Sequence, residues 1–251
     1  DRLRSRGLGD VYKRQILIKL IDAKDNLSVQ VHPDNDYAMR VEGEYGKTEM
    51  WYVVDCDEGA TLLYGFKHEI TKEEFARRIA DNTLLEVTNA VPVKKGDVFF
   101  IKSGTLHAIG KGILIAEIQQ NSNTTYRIYD YGRVGKDGKP RELHVNKALD
   151  VTKLAPAEQY PETPVEKKDG YDIKLLSKCE YFTTYRVNVE TKAELDADEN
   201  SFNSILVLEG EPVISGGETV SAKKGESVFI SAGTGKYTVE GKCTFVLTKI
   251  D

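Results

Sequence analysis

What this chain has little of narrows it first. Its three cysteines, Cys56, Cys179 and Cys243, are far apart, odd in number and in no C-x-x-C spacing. That argues against a disulfide framework or a thiolate metal knuckle and suits reduced thiols in a cytoplasm. Long apolar runs are missing. The longest early one, ILIKLI, is about a third of the roughly 20 residues a spanning helix needs, and it carries Lys19. It is also too short for a signal-peptide core, and no small-residue cleavage site follows, so neither a membrane span nor a secretion signal is expected. Cationic excess is missing too: 35 Lys and Arg stand against 40 Asp and Glu, leaving a net charge of −5. Such a surface offers no general field for nucleic acid or an anionic membrane. An anionic small molecule would need a local cluster of basic groups. Histidine is scarce, with only His32, His68, His107 and His144, so their places carry information.

What is present is a soluble globular balance of 40% hydrophobic and 30% charged residues in 251, enough for one large or two modest domains. Residues 1–15, DRLRSRGLGDVYKRQ, carry five basic residues with no period and no cap. The stretch resembles translated adapter sequence at the ends of chains assembled from environmental DNA. It is expected to be non-native and is left out of the fold reading.

From residue 16 short strands alternate with turns: ILIKLIDA, LSVQVHP, EMWYVVD, TLLYGF, LLEVTNAVPV, DVFFIKSG and ILIAEIQQ, many rich in β-branched and aromatic residues. Two helices interrupt them. Asp34 is placed to cap one through DYAMRVEG, and Thr71 with Glu74 forms a capping box for TKEEFARRIADN. Residues 151–168, with three prolines among charges, read as a linker, and further strands fill 169–251. KKGDVFFIKSGTLH (94–107) matches KKGESVFISAGTGK (223–236) without a gap. Gly96 answers Gly225 and Gly104 answers Gly233, glycines expected at turns of positive φ, with buried strands between them. The chain is therefore expected to be all-β, with two related halves and a few short helices. The copies differ where chemistry is concerned, because His107 in the first stands against Lys236 in the second.

In LSVQVHP, period two places Gln30 and His32 on one face of a strand, opposite Val29 and Val31. His107 closes SGTLH, and Glu49 opens a strand of large apolar residues, where a carboxylate is costly to bury without a cationic partner. Two imidazoles, a carboxylate and an amide oxygen form a set suited to Zn²⁺ or another first-row ion. Each residue singly also has an ordinary reading, as a hydrogen-bonded histidine or a solvated strand-end acid, and spacing alone leaves both open. His68 reads as a surface residue and His144 as structural.

The segments LSVQVHPDNDYA, GKTEMWYVVD, SGTLHAIGKGILIAEIQQNSNTTYRIYDYGR and RELHVNKALD resemble the type I mannose-6-phosphate isomerases in their short bacterial form, which are zinc-dependent cupins. The resemblance spans 16–251 and is strongest over 27–150. It implies two cupin-like jelly-roll barrels: a catalytic one at 16–150 and, after the linker 151–168, one at 169–251 without ligands. It implies one Zn²⁺ per chain on Gln30, His32, Glu49 and His107, Gln30 being the weakest match. It implies an active-site arginine at Arg127 and a proton-transfer or substrate contact at Lys47. The reaction implied interconverts mannose 6-phosphate and fructose 6-phosphate through a cis-enediol. Lys47, a metal-bound water or an unliganded carboxylate stay open as the base, and Arg133 or Lys111 as phosphate contacts. The partner implied is a sugar phosphate, in the cytoplasm, to a monomer or weak dimer. Family members carry a further N-terminal segment, so a truncated reading frame is expected. The alternatives are a sugar- or metal-binding cupin, non-catalytic or inactivated by truncation, and another metal-dependent cupin enzyme such as an oxygenase.

Overall fold

The computed structural model describes residues 16–135 and 137–250, a mostly β chain in two compact units that divide between Gln159 and Tyr160. The foreign-looking stretch 1–15 lies outside the described residues. In the first unit the strands are β1 (Ile16–Ala23), β2 (Val29–Val31), β3 (Glu49–Cys56), β4 (Thr61–Phe66), β5 (Thr88–Pro92), β6 (Val98–Ile101), β7 (His107–Ala108), β8 (Ile113–Gln120) and β9 (Tyr126–Tyr129). They form an antiparallel four-stranded sheet, β1-β8-β3-β6, and an antiparallel five-stranded sheet, β5-β4-β7-β2-β9. Closed barrels were expected; each sheet is open, with β1 and β6, or β5 and β9, at its edges.

Side chains of both sheets meet in a core of Trp51, Val53, Leu62, Ile101, Ile113 and Ile115. The other face of the five-stranded sheet, with Val29, Val31, Leu106 and Ile128, is covered by Phe75 and Ile79 of one helix and Ala148 of another. Alternation therefore divides β2 as the sequence indicated: valines toward helices, Gln30 and His32 toward the opposite sheet.

The helices are α1 (Asn35–Val41), α2 (Lys72–Ala80) and α3 (Val145–Val151). Asp34 caps α1 by accepting from Tyr37 N at 2.8 Å, as its residue type predicts. Thr71 accepts from Glu74 N, but the Glu74 carboxylate turns to Arg78, one turn on, so only half of the expected capping box forms. The sequence reading missed α3, which has no side-chain cap and only seven residues. LLEVTNAVPV, read as one strand, is a 3₁₀ turn at Leu84–Glu86 followed by β5. The linker expected at 151–168 is also divided. Val151 ends α3, the carbonyls of Leu154 and Ala155 accept from Ile70 N and Phe66 N, and Val165–Lys168 is a strand.

The second unit comprises β10 (Val165–Lys168), β11 (Tyr171–Lys178), β12 (Thr183–Val189), β13 (Lys192–Ala197), β14 (Asn203–Gly210), β15 (Val213–Gly216), β16 (Glu218–Ser221), β17 (Ser227–Ile230), β18 (Gly235–Glu240) and β19 (Cys243–Lys249). A six-stranded sheet, β10-β11-β12-β19-β14-β17, packs on a four-stranded one, β13-β18-β15-β16, through Val187, Ile205, Tyr237, Val239, Phe245 and Leu247. The repeat is visible in the backbone: Gly96, Gly225, Gly104 and Gly233 all take φ between 79° and 92°. Its two strands are not equally buried, because β17 is an edge strand and Phe229 is 64% exposed.

Candidate metal centre and its polar surround

Four strands of the five-stranded sheet set a row of side chains on the face toward the other sheet. Tyr64 pairs with His107, His107 with Gln30, and Gln30 with Arg127. Directly opposed residues point to one side. On the facing sheet Glu49 lies between Ile101 and Gln119, and Trp51 between Phe99 and Glu117. His32 follows β2, and Lys47 precedes β3 by two residues. The sequence places these groups on separate strands; the sandwich brings them together.

One ligand atom each from His32, Glu49 and His107 lie within 4.8 Å of one another. His32 Nε2 is 3.5 Å from Glu49 Oε2, and His107 Nε2 is 3.4 Å from Glu49 Oε1. Donors held about 2.05 Å from a tetrahedral ion stand roughly 3.3 Å apart, so these separations fit zinc-type coordination. His32 Nδ1 lies 3.0 Å from Thr124 O, and His107 Nδ1 lies 2.8 Å from Thr105 O. A carbonyl only accepts, so both imidazoles carry their proton on Nδ1 and turn an Nε2 lone pair toward Glu49. Glu49 and His107 are fully buried and His32 is 1% exposed, yet Glu49 Oε1 has no hydrogen-bond partner among the described residues. Such an orphaned buried oxygen beside two lone pairs has the chemistry of a cation site. Gln30 is half-buried, and its amide nitrogen is 3.3 Å from His107 Nε2. In this arrangement the amide donates to the ring, and a half-turn of the amide exchanges its nitrogen and oxygen.

Lys47 is the charge that balances the cluster. Its ammonium donates to Glu49 Oε2, lies 3.2 Å from His32 Nε2 and reaches Glu117 Oε1 at 3.6 Å. Burial draws the lysine down, but the Glu49 and Glu117 charges outweigh it and raise it. Burial likewise pushes Glu49 up, and the charges of Lys47 and the imidazoles hold it well below the usual carboxylate range. Burial, reinforced by Lys47, takes His32 down to about 4 and lowers His107 as well. At neutral pH the site thus holds a carboxylate, an ammonium and two neutral imidazoles.

Glu117 was missed in the sequence. It is buried, accepts from Trp51 Nε1 at 3.0 Å and from Lys19 Nζ at 3.1 Å, and so links two lysines on one carboxylate. Lys19 also donates to Gln119 Oε1 at 2.5 Å. The available signal was a carboxylate inside the apolar strand ILIAEIQQ.

Arg127 sits at one end of the row, drawn down by burial and by the nearby Arg141 charge. Its Nη1 donates to Glu142 O at 3.1 Å, while its buried Nε has no partner among the described residues. The two phosphate candidates do not join this group. Lys111 lies in the turn before Ile113, which pairs with Cys56, roughly 23 Å along β3 from Glu49. Arg133 is spent on Asp130 and on Asn26 O. His68 takes no part in the cluster, and His144 lies behind Arg127. In the second unit Asn203 takes the place of Glu49, pairing with Ile230 as Glu49 pairs with Ile101. Lys236 is exposed, and Tyr237 next to it turns inward to Asn203 Nδ2 at 3.0 Å.

Comparison with known proteins fits this picture. The family profile described as "Mannose-6-phosphate isomerase, cupin domain" matches residues 172–250. Mannose-6-phosphate isomerase ManA of Bacillus subtilis is 40% identical over 237 residues, 94% of this chain and 75% of the relative. The mannose-6-phosphate isomerase of Streptococcus mutans is 40% identical over 86% of this chain and 67% of its own length. The crystal structure of the mannose 6-phosphate isomerase from Bacillus subtilis superposes with a TM-score of 0.88 at 37% identity, over 93% of this chain and 74% of that one. The chain spans about three quarters of the length of the Bacillus relatives it matches. On this identity and coverage, the chain belongs to the mannose-6-phosphate isomerase family of enzymes.

Proposed function

We propose that the chain interconverts mannose 6-phosphate and fructose 6-phosphate by moving a proton between C1 and C2 of the open sugar. His32, Glu49 and His107, with the side-chain oxygen of Gln30, would hold one zinc ion. The observation that carries this reading is the convergence of two Nε2 lone pairs, fixed by carbonyls behind them, on a buried carboxylate with an unpartnered oxygen. When bound, a zinc ion supplies Lewis-acid polarisation of the substrate carbonyl.

The remaining work falls to the chain's own groups. Removing a proton beside a carbonyl builds negative charge on its oxygen, and Arg127 offers a buried, unused Nε–H to that charge. Lys47 forms an ion pair with Glu117, which in turn accepts from Lys19, an arrangement able to take and return a proton. Glu117 is the unliganded carboxylate of this mechanism.

The finer assignments belong to the same reading. Each unit is a cupin-like jelly roll, the catalytic domain is 16–150, and 169–251 is a second domain whose site is filled by Asn203 and Tyr237. The enzyme acts in the cytoplasm as a monomer or weak dimer. Among the described residues no helix is long and apolar enough to cross a membrane. The test is a coupled assay with mannose 6-phosphate, after chelation and after zinc is returned. Turnover restored by zinc and lost in Arg127→Ala, with zinc retained, supports the proposal. Zinc binding without turnover would leave a binding module instead.

A further inference from the structure

Arg127 stands on an edge strand at a kink. The register runs Val29 with Tyr129 and then Gln30 with Arg127, so Ile128 is an extra, bulged residue. A bulge leaves the local direction of a strand weakly determined unless something outside the ladder fixes it. Here one residue does. His144 Nδ1 accepts from Arg127 N at 3.1 Å, and His144 N donates to Arg127 O at 2.8 Å. Both main-chain groups on the open side of Arg127 are therefore tied to His144. The same residue begins α3 by accepting from Ala148 N at 3.0 Å, and its ring lies 6.1 Å from that of Tyr126. Two residues earlier, Glu142 O holds the guanidinium itself.

We propose that His144 is a positioning residue for Arg127: its unprotonated Nδ1 stands in for a strand carbonyl and fixes the bulged main chain from which the guanidinium reaches the reacting oxygen. This rests on the reading of Arg127 given above. Displacing a charge-stabilising group by about 1 Å costs on the order of 100-fold in rate, so the anchoring of the backbone matters to chemistry. The role asks for an acceptor at the Nδ1 position and nothing else of the imidazole.

Two complementary variants test it in the zinc-loaded chain. His144→Phe keeps a ring against Tyr126 and loses the acceptor; His144→Asn loses the ring and keeps an acceptor at the same place. Hydrogen exchange of residues 126–128 is expected to speed up tenfold or more in the Phe variant and to stay within threefold of wild type in the Asn variant. Turnover of mannose 6-phosphate should fall tenfold or more in kcat, with KM within threefold, for Phe only. The proposal is overturned if both variants behave alike, if exchange at 126–128 is unchanged in Phe, or if faster exchange spreads over the whole unit. A parallel Arg127→Ala variant separates the two readings. Normal turnover there sinks the role of Arg127, while exchange alone still reports whether His144 holds the strand.

Discussion

Replacing Lys47 with methionine removes the one ammonium that neutralises Glu49, while keeping a stem of similar length. Glu49 is fully buried and Lys47 is 4% exposed, so neither charge is eased by solvent. Glu117 retains Lys19, but Glu49 is left with two neutral imidazoles. Removing one partner of a buried ion pair costs about 3–5 kcal/mol. At about 2–4 °C per kcal/mol for a domain of this size, melting of the 16–159 unit in chelator should fall by about 6–20 °C. Zinc reverses the argument. In the wild type a bound cation would compete with the ammonium for His32 Nε2 and Glu49 Oε2, whereas in the variant it would alone restore the missing charge. Zinc at 100 times Kd stabilises by about 2.7 kcal/mol, or roughly 5–11 °C, in the wild type. The shift between chelator and zinc should be clearly larger in Lys47→Met. Calorimetry of both proteins in both conditions decides it. An equal zinc shift, or a variant that melts no lower than wild type in chelator, would refute the view that Lys47 and the metal share these lone pairs.

Three further outcomes follow from the same structure. His107→Ala removes one ligand from a fixed scaffold, so zinc affinity should weaken at least 100-fold with the β signal retained in circular dichroism; unchanged zinc stoichiometry counts against the site. Glu117→Gln keeps an acceptor for Trp51 and loses the charge between Lys19 and Lys47, so kcat should fall at least tenfold with zinc still bound, and full activity would remove Glu117 from the proton chain. Burial pushes Asp130 up, but hydrogen bonds from Arg141 and Arg133 outweigh it and hold its carboxyl below the ordinary 3.8. Because the folded value is the lower one, its contribution is complete above the unfolded value and drains away as pH falls below it. Asp130→Asn should lower stability by about 1–3 kcal/mol at pH 7 and shrink that difference toward pH 2, a trend that denaturant melts across pH will show or deny.

The sequence by itself determined the local facts. Period two divided β2 into a valine face and a Gln30–His32 face, residue type placed the caps at Asp34 and Thr71, and glycines marked the four positive-φ turns of the repeat. These depend on interactions within a few residues, which a linear pattern carries. It missed α3, too short to show a helical period and without a side-chain cap, and it drew the linker too wide, because the carbonyls of Leu154 and Ala155 bond residues about 85 positions away. Only the tertiary structure decided the site. Whether His32, Glu49 and His107 share a point in space depends on the register of strands from opposite sheets. The same holds for the carbonyl of Thr124, 92 positions from the His32 whose proton it fixes, and for Glu117, whose two lysines come from distant parts of the chain. Lys111 shows the converse: near His107 in the chain, it is carried to the far end of the sheet because a strand advances about 3.3 Å with every residue.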